Sequence, residues 1–466
     1  DLHRRRHSFP TRRSSDLGSR FKSARGAYSH DFDTKRMEEK FTVSYKELTE
    51  TDDIYCSPSV METKCDNFDD FADDVGGLKE DLYRGIIAYG FEFPSKIQSY
   101  GIPPILAGKD ILAQAQSGSG KTGAFMISSL QLIDEKLKKP QVIILSPTCD
   151  LAFQTYNVGK ELSKMMEDVE FSLTVGGTDR YENILKLGGV IHEKTAGGKV
   201  QEKRDPKPAQ IVVATPGRLK DIINEFPNLF DAVKLIIIDE CDEMLLGNFS
   251  EDIQTILGKL QSIDIRYQMC LFSATLTDDS IKIAEQLLDE PVKILIKKEK
   301  ISLDGITQTY IAVTSPDQKL STLIEMLSVC SVQKFIVYVN SIANLQAIKD
   351  FLETKGFPVL AINSTMNKGQ RAKVLHDFKK GQTKCLISTD LLSRGIDIQQ
   401  LSLVINYDMP HPNKISNYFH RIGRTGRFGK EGWAINLADE RELNIIKSIE
   451  VTFKCGIRPL DRELLN

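Results

Sequence analysis

Between positions 71 and 298 the chain alternates short apolar runs with longer stretches in which apolar side chains recur at helical spacing. The runs Ile111 to Ala115, Val142 to Leu145, Ile211 to Ala214, Leu235 to Ile238, Cys270 to Phe272 and Val292 to Ile296 have the length of buried strands. Strands that are apolar throughout, separated by helix-length segments such as Thr122 to Leu137, predict an α/β fold with a mainly parallel sheet covered by helices. A charged hinge, Lys297-Lys298-Glu299-Lys300, follows, and then the pattern restarts: Tyr310 to Val313, Phe335 to Val339, Val359 to Ile362, Cys385 to Ser388, Leu403 to Asn406 and Ala434 to Leu437. Two α/β domains are therefore expected, over 71–298 and 306–466, joined by a linker at 299–305.

The polar residues that close these runs carry the candidate chemistry, because ligands of such sheets bind beyond the carboxyl ends of the strands. After the run at Ile111 comes Ala115-Gln116-Ser117-Gly118-Ser119-Gly120-Lys121-Thr122, followed by a helical segment. Gly118 and Gly120 allow a turn whose N–H groups face phosphate oxygens at a helix N-terminus, Lys121 adds positive charge, and Thr122 offers a hydroxyl to Mg²⁺. Asp239 and Glu240 directly follow Ile236-Ile237-Ile238, where an Asp can hold a metal and the next Glu can orient water. The other strand ends read Ser146-Pro147-Thr148, Thr215-Pro216-Gly217-Arg218 and Ser273-Ala274-Thr275. About twenty residues upstream of the loop, Gly90-Phe91-Glu92-Phe93-Pro94-Ser95-Lys96-Ile97-Gln98 pairs an aromatic with an amide able to read adenine's edge, although core packing of the Phe is the plainer reading. In the second domain, Ser388 to Asp397 and His420 to Arg427 stand out, and Arg424 and Arg427, three apart, would share a face on a helical turn.

Composition narrows the classes without choosing among them. The 466 residues are 41% hydrophobic and 27% charged, with a formal net charge of −3, so no whole-chain basic excess points to nucleic acid. The 8 cysteines include no Cys-x-x-Cys pair, which excludes the usual zinc spacings and suits reduced thiols of an intracellular protein. No apolar run reaches the ~18–20 residues of a membrane span. Residues 1–17 are rich in arginine and serine, superficially like a transit peptide, but lack an apolar helical face. They read as a non-native tail, and 18–70 as a flexible leader.

In chain order, these motifs resemble the DEAD-box RNA helicases, and most closely their initiation factor four-A branch. The resemblance runs from Phe71 to the C-terminus, through Gly90 to Gln98, Ala115 to Thr122, Pro147-Thr148, Gly176-Gly177, Thr215 to Arg218, Asp239 to Asp242, Ser273 to Thr275, Thr389 to Asp397 and His420 to Gly429. It implies two tandem RecA-like domains that bind ATP and single-stranded RNA across their cleft. In that scheme Phe91, Ser95 and Gln98 hold adenine, with Phe428 on the other face, while the loop from Ala115 through Gln116, Ser117, Gly118, Ser119 and Gly120 to Lys121 and Thr122 holds phosphates and Mg²⁺. Asp239 positions the metal, Glu240 the water, Gly395 and Asp397 the ribose, and Arg424 and Arg427 the γ-phosphate. Asp242, Ser273, Thr275 and His420 couple the domains. RNA contacts fall on Pro147, Thr148, Gly176, Gly177, Thr215, Pro216, Gly217, Arg218, Asn340, Arg371 and Thr389, through backbone and hydroxyl groups that tolerate any base sequence.

The implied enzyme is an RNA-dependent ATPase and helicase of translation initiation, acting as a monomer on single-stranded or locally duplex RNA with a protein partner, in the cytoplasm or the nucleus. An ATP-gated RNA clamp, or a remodelling factor of the exon-junction or mRNA-export type, is the alternative. The sequence departs from the family pattern at Cys241, in Asp-Glu-Cys-Asp, at Cys149-Asp150 in place of Arg-Glu, at Asn363-Ser364 in place of His-Gly, and at Lys368 in place of Gln. Losing one guanidinium at position 149 should lower the salt dependence of RNA binding by a slope of about 0.7. The aromatic supporting the adenine pocket is expected at Phe71. Residues 188–208 read as an inserted loop, disordered or making an added RNA or partner contact.

Overall fold

The computed structural model describes residues 49–50, 54–58, 63–72, 77–115, 118–194, 200–246, 249–276, 278–296, 306–329, 334–390, 401–425, 432–453 and 455–460. The chain forms two compact units that divide between Ile296 and Lys297. The strands of the first unit, in chain order, are β1 (Thr49–Glu50), β2 (Ile54–Cys56), β3 (Ile111–Gln114), β4 (Val142–Leu145), β5 (Phe171–Thr174), β6 (Ile191–Lys194), β7 (Val200–Lys203), β8 (Ile211–Ala214), β9 (Leu235–Ile238), β10 (Gln268–Ser273) and β11 (Val292–Ile296). Its main sheet has the order β1-β2-β11-β3-β10-β9-β4-β8-β5, parallel from β11 to β5.

The continuous apolar runs are explained by burial on both faces. Alternate residues of one strand enter different cores: Val142 and Ile144 pack on one side with Phe125 and Phe272, while Ile143 and Leu145 pack on the other with Leu219 and Phe230. β5 had no continuous apolar run because Ser172 and Thr174 interrupt it. Their buried hydroxyls lie 2.9 Å apart and satisfy one another.

Part of the stretch expected as a leader belongs to this unit. β2 pairs antiparallel with β11, with Cys56 opposite Ile294, and Cys56 and Phe68 are buried in the core. Three residues carry too short a pattern to be recognised, because their anchorage is backbone pairing to an exposed strand edge. Residues 188–208 differ from expectation as well. β6 and β7 pair as an antiparallel hairpin, with Ile191 opposite Lys203, and Lys186 forms a 3.1 Å ion pair with Asp205 at its root. The hairpin joins the end of the helix Arg180–Lys186 to the start of β8, so it leaves the sheet at the amino-terminal edge, away from the strand ends that carry the motifs.

The second unit contains β12 (Ile306–Ala312), β13 (Phe335–Tyr338), β14 (Val359–Ile362), β15 (Cys385–Ser388), β16 (Leu403–Asn406), β17 (Gly432–Ala438) and β18 (Arg458–Pro459), in the order β14-β15-β13-β16-β17-β12-β18, all parallel. Helices including Pro316–Val329, Ile342–Thr354, Lys368–Lys379 and Glu440–Phe453 connect its strands.

Gly85 lets the helix Glu80–Tyr89 approach the end of the helix Cys149–Leu162 so closely that a Cβ there would overlap the Leu162 carbonyl oxygen. Gly85→Ala should cost about 1–3 kcal/mol of stability. Gly258→Ala, on an exposed helical position with open space around it, should add about 0.5–1 kcal/mol. Denaturant midpoints of the two variants should move in opposite directions.

Candidate functional site

The phosphate loop hangs from the carboxyl end of β3. Ala115 is buried, and its N–H donates to the Ser273 carbonyl at 3.0 Å, tying the loop's first residue to the adjacent strand end. Gly118 (φ 81°) and Gly120 (φ 101°) both adopt the left-handed conformation that glycine permits. Gly120 caps the helix Lys121–Leu132, whose first N–H groups have no intrahelical acceptor and so face the loop. Lys121 is buried and donates through Nζ to the Ala115 carbonyl at 2.6 Å. Gln116 and Ser117 lie outside the described residues.

The Gln98 amide is built into this loop. Ser95 precedes the helix Lys96–Leu106 and donates its N–H to Gln98 Oε1 at 2.8 Å, while Gln98 Nε2 donates to the Gly120 carbonyl at 3.2 Å. A Cβ at Gly123 would overlap Gln98 Nε2 and approach the Phe91 ring at 3.0 Å. Phe91 follows Gly90, a left-handed helix cap, and meets Tyr89 edge-on at 4.9 Å. Phe68 lies parallel to Phe91 at 6.5 Å, whereas Phe71, the expected supporting aromatic, packs in the core beside Phe68.

At the end of β9, Asp239 is buried and accepts the Glu240 N–H at 3.0 Å. Glu240 holds φ at 51°, a left-handed conformation that costs a non-glycine residue about 1 kcal/mol or more. Burial, and secondly the neighbouring Glu240 charge, push the Asp239 carboxyl up to about 7, with Lys121 opposing. Asp242 accepts from Ser273 Oγ at 2.7 Å and from Thr275 Oγ1 at 3.1 Å, so the hydroxyls after β10 are bound to the carboxylate after β9. Ser273 has one hydroxyl hydrogen and two acceptors in reach, since the Thr275 carbonyl lies at 2.6 Å. The Ser273–Asp242 link is therefore exchangeable.

Strand order sorts the remaining first-unit residues. The loop after β3, Ser273 at the end of β10 and Asp239 after β9 occupy three adjacent strand ends, and the residues expected to meet RNA occupy the next three, after β4, β8 and β5. Pro147 is buried, and Thr148 caps the helix Cys149–Leu162 by accepting the Leu151 N–H at 3.2 Å. Arg218 donates to the Thr178 carbonyl at 3.0 Å and to Asn183 Oδ1 at 2.8 Å, which joins the turn at Thr215, Pro216 and Gly217 to the one at Gly176 and Gly177.

In the second unit, Asn340 follows β13, Thr389 follows β15, and Arg371 lies in the helix Lys368–Lys379. The Asn340 carboxamide is engaged at both ends, accepting from Arg421 and donating to the Met409 carbonyl at 2.7 Å. His420 and Arg424 are buried. The helix Asn417–Ile422 ends before Arg424, which continues with a tighter turn, its N–H on the Arg421 carbonyl at 3.2 Å. The α-helix thus closes one residue before Arg424, at its cap Gly423, and the tighter turn carries Arg424. Gly395, Asp397, Arg427 and Phe428 lie outside the described residues.

Two family models match in this order, the DEAD/DEAH box helicase over residues 95–283 and the helicase conserved C-terminal domain over 318–429. The ATP-dependent RNA helicase eIF4A of Kluyveromyces lactis is 41% identical over 383 residues, covering 82% of this chain and 91% of that protein. The chain belongs to the DEAD-box helicase family. The eIF4A of Schizosaccharomyces pombe is 39% identical over 402 residues, 86% of this chain and 96% of that one. Among solved structures, S. cerevisiae Dbp5 bound to RNA and ADP BeF3 is similar with a TM-score of 0.70 at 28% identity, over 85% of this chain and 95% of that chain. Mss116p bound to ssRNA and AMP-PNP reaches 0.73 at 25% identity, over 86% and 81%.

Within this DEAD-box frame the departures acquire surroundings. Cys241 is buried in the core, and burial pushes its thiol well above the ordinary range, so it fills space as a small apolar residue. The Cys149 thiol packs 3.6 Å from the Gly176 carbonyl, between two of the turns expected to meet RNA. Asn363 is buried and accepts from Thr365 N at 3.0 Å and Oγ1 at 2.7 Å. The Gln98–Gly120 link, the Phe68–Phe91 pair and the bonding of Arg421 were not read from the sequence. Nothing in the local spacing of these residues marked them.

A carboxyl raised in the folded chain contributes stability that is complete below its unfolded value of about 4 and is lost as pH rises through about 7. The melting temperature of the protein without nucleotide should therefore carry a falling component between those limits, and Asp239→Asn should flatten it. Gly123→Ala should displace Gln98 and weaken nucleotide binding about tenfold, read by titration with a fluorescent ATP analogue.

Proposed function

We propose that this chain is an ATP-dependent RNA helicase of translation initiation, which hydrolyses ATP when single-stranded RNA is bound and separates short duplexes locally. The observation that carries this reading is strand order: the phosphate loop, Ser273 and Asp239 stand at three adjacent strand ends, and the residues proposed to meet RNA stand at the next three. It is supported by relatives named ATP-dependent RNA helicase eIF4A at about 40% identity over most of the chain.

In this reading Phe91, Ser95 and Gln98 select adenine, and Lys121 with the loop N–H groups hold the phosphates. Mg²⁺ fits the donors present: the Asp239 carboxylate and the Thr122 hydroxyl are hard oxygen ligands, and the buried Asp239, held up by desolvation, gains from a neighbouring cation. Bound there, the ion would neutralise phosphate charge. Glu240 orients and deprotonates the attacking water, with its carboxylate aimed by the strained backbone that it occupies. The Ser273–Asp242 pair can exchange acceptors and so transmit a change at the nucleotide to the neighbouring strand end. Arg424 and Arg427 from the second unit direct charge at the γ-phosphate, and Asp397 holds the ribose. Thr148, Arg218, the Gly176-Gly177 turn, Asn340, Arg371 and Thr389 follow the RNA backbone. A translation-complex protein is the partner class, the working unit is a monomer, and the setting is cytoplasmic. No helix among the described residues is long and apolar enough to cross a membrane.

A second reading, an ATP-gated clamp or mRNP remodelling factor, draws on the likeness to RNA-bound Dbp5. It predicts slow RNA release with a non-hydrolysable ATP analogue and function without unwinding. The helicase reading predicts ATPase activity stimulated by single-stranded RNA and not by DNA. Glu240→Gln should lower the stimulated rate by about 100-fold or more. Hydrolysis that is equally fast without RNA would defeat it.

A further inference from the structure

Arg421 is fully buried, and its guanidinium points in four directions at once. Nε donates to Asp390 Oδ1 at 2.6 Å, Nη1 to the Asp408 carbonyl at 2.6 Å and Asn406 Oδ1 at 3.3 Å, and Nη2 to Asn340 Oδ1 at 2.9 Å. The plane lies over Tyr338, 5.3 Å from the ring centroid. These acceptors come from β16 and from the segments just beyond β15, β13 and β16, three adjacent strands. Asp390, Asn340 and Asp408 are themselves held. Asn417 donates to the second Asp390 oxygen at 3.0 Å, and the Asn340 N–H donates to Asp408 Oδ2 at 2.8 Å.

Two of the bonded segments carry candidate RNA contacts: Asn340 itself, and Thr389 immediately before Asp390. On the other side, Arg424 is the next turn of the chain, with its N–H on the Arg421 carbonyl. Arg421 thus bonds the RNA-directed segments of the second unit through its guanidinium and the phosphate-directed turn through its backbone carbonyl. Only a planar fork can serve these directions; a lysine ammonium supplies the charge without the geometry.

We propose that Arg421 is a positioning residue that holds the RNA-contacting segments after β13 and β15 in register with the turn carrying Arg424. RNA binding to those segments is then conveyed to the arginine that meets the γ-phosphate. This rests on the helicase reading above.

The test uses the full chain with Arg421→Lys, Asp390→Asn and the double variant. Three quantities are read: the melting temperature, binding of a fluorescent ATP analogue without RNA, and the poly(U) concentration giving half-maximal ATPase stimulation. That concentration should rise about tenfold in each single variant, with nucleotide binding unchanged, as expected for loss of a charged hydrogen bond. The double variant should be no worse than Arg421→Lys, because both changes cut the same link. An unaltered poly(U) dependence, an equal loss of nucleotide binding, or additive losses in the double variant would overturn the proposal. Should Arg421→Lys fail to fold, Asp390→Asn, which keeps the side-chain shape, decides by the first two of these criteria. Wild-type ATPase indifferent to poly(U) would overturn the helicase reading and this inference together, whereas a responsive wild type with equally responsive variants would overturn this inference alone.

Discussion

Burying carboxylates at the end of an all-apolar strand is the constraint around which the first unit is organised. β9 carries Asp239 and Glu240 out of a hydrophobic core into a place where water is scarce, and a charged carboxylate there is costly unless partnered. The neighbours meet that cost in different ways. Lys121 lowers the Asp239 proton affinity, the Glu240 N–H binds its carboxylate, and Asp242 is held by two hydroxyls from the next strand. The phosphate loop is attached to the same strand end through Ala115 and Ser273. What looks like three separate motifs along the chain is one polar island at the rim of two apolar cores.

The parts of the fold legible in the sequence are those governed by burial of whole strands. Val142 to Leu145, Leu235 to Ile238 and Leu403 to Asn406 begin and end where their apolar runs do, because both faces of the parallel sheets are covered. β5 and the hairpin β6–β7 were missed because hydroxyl and charged side chains tolerate an edge position whose stability comes from backbone pairing. The phosphate loop and the strand-end acids were legible because their chemistry demands particular residues in a row. Contacts made across long sequence separation were not. Gln98 meets Gly120 through the packing of a helix on the loop that follows the next strand, and Arg421 meets Asn340 through strand order, neither of which single-chain periodicity encodes.

The second unit solves the opposite electrostatic problem. There a cation is buried, and it is satisfied by one carboxylate, two carboxamides, a carbonyl and an aromatic face drawn from three strand ends. Distributing the partners in this way makes the loops mutually dependent, since displacing any one leaves a donor of a buried guanidinium without its acceptor.

The hairpin at the other rim of the first sheet bears on where this fold can take added length. Parallel strands give a sheet two rims of different character, and here the candidate site residues stand at the carboxyl-end rim. The rim where β6 and β7 emerge can accept inserted segments, because length added there shifts no residue at the rim that carries the candidate site.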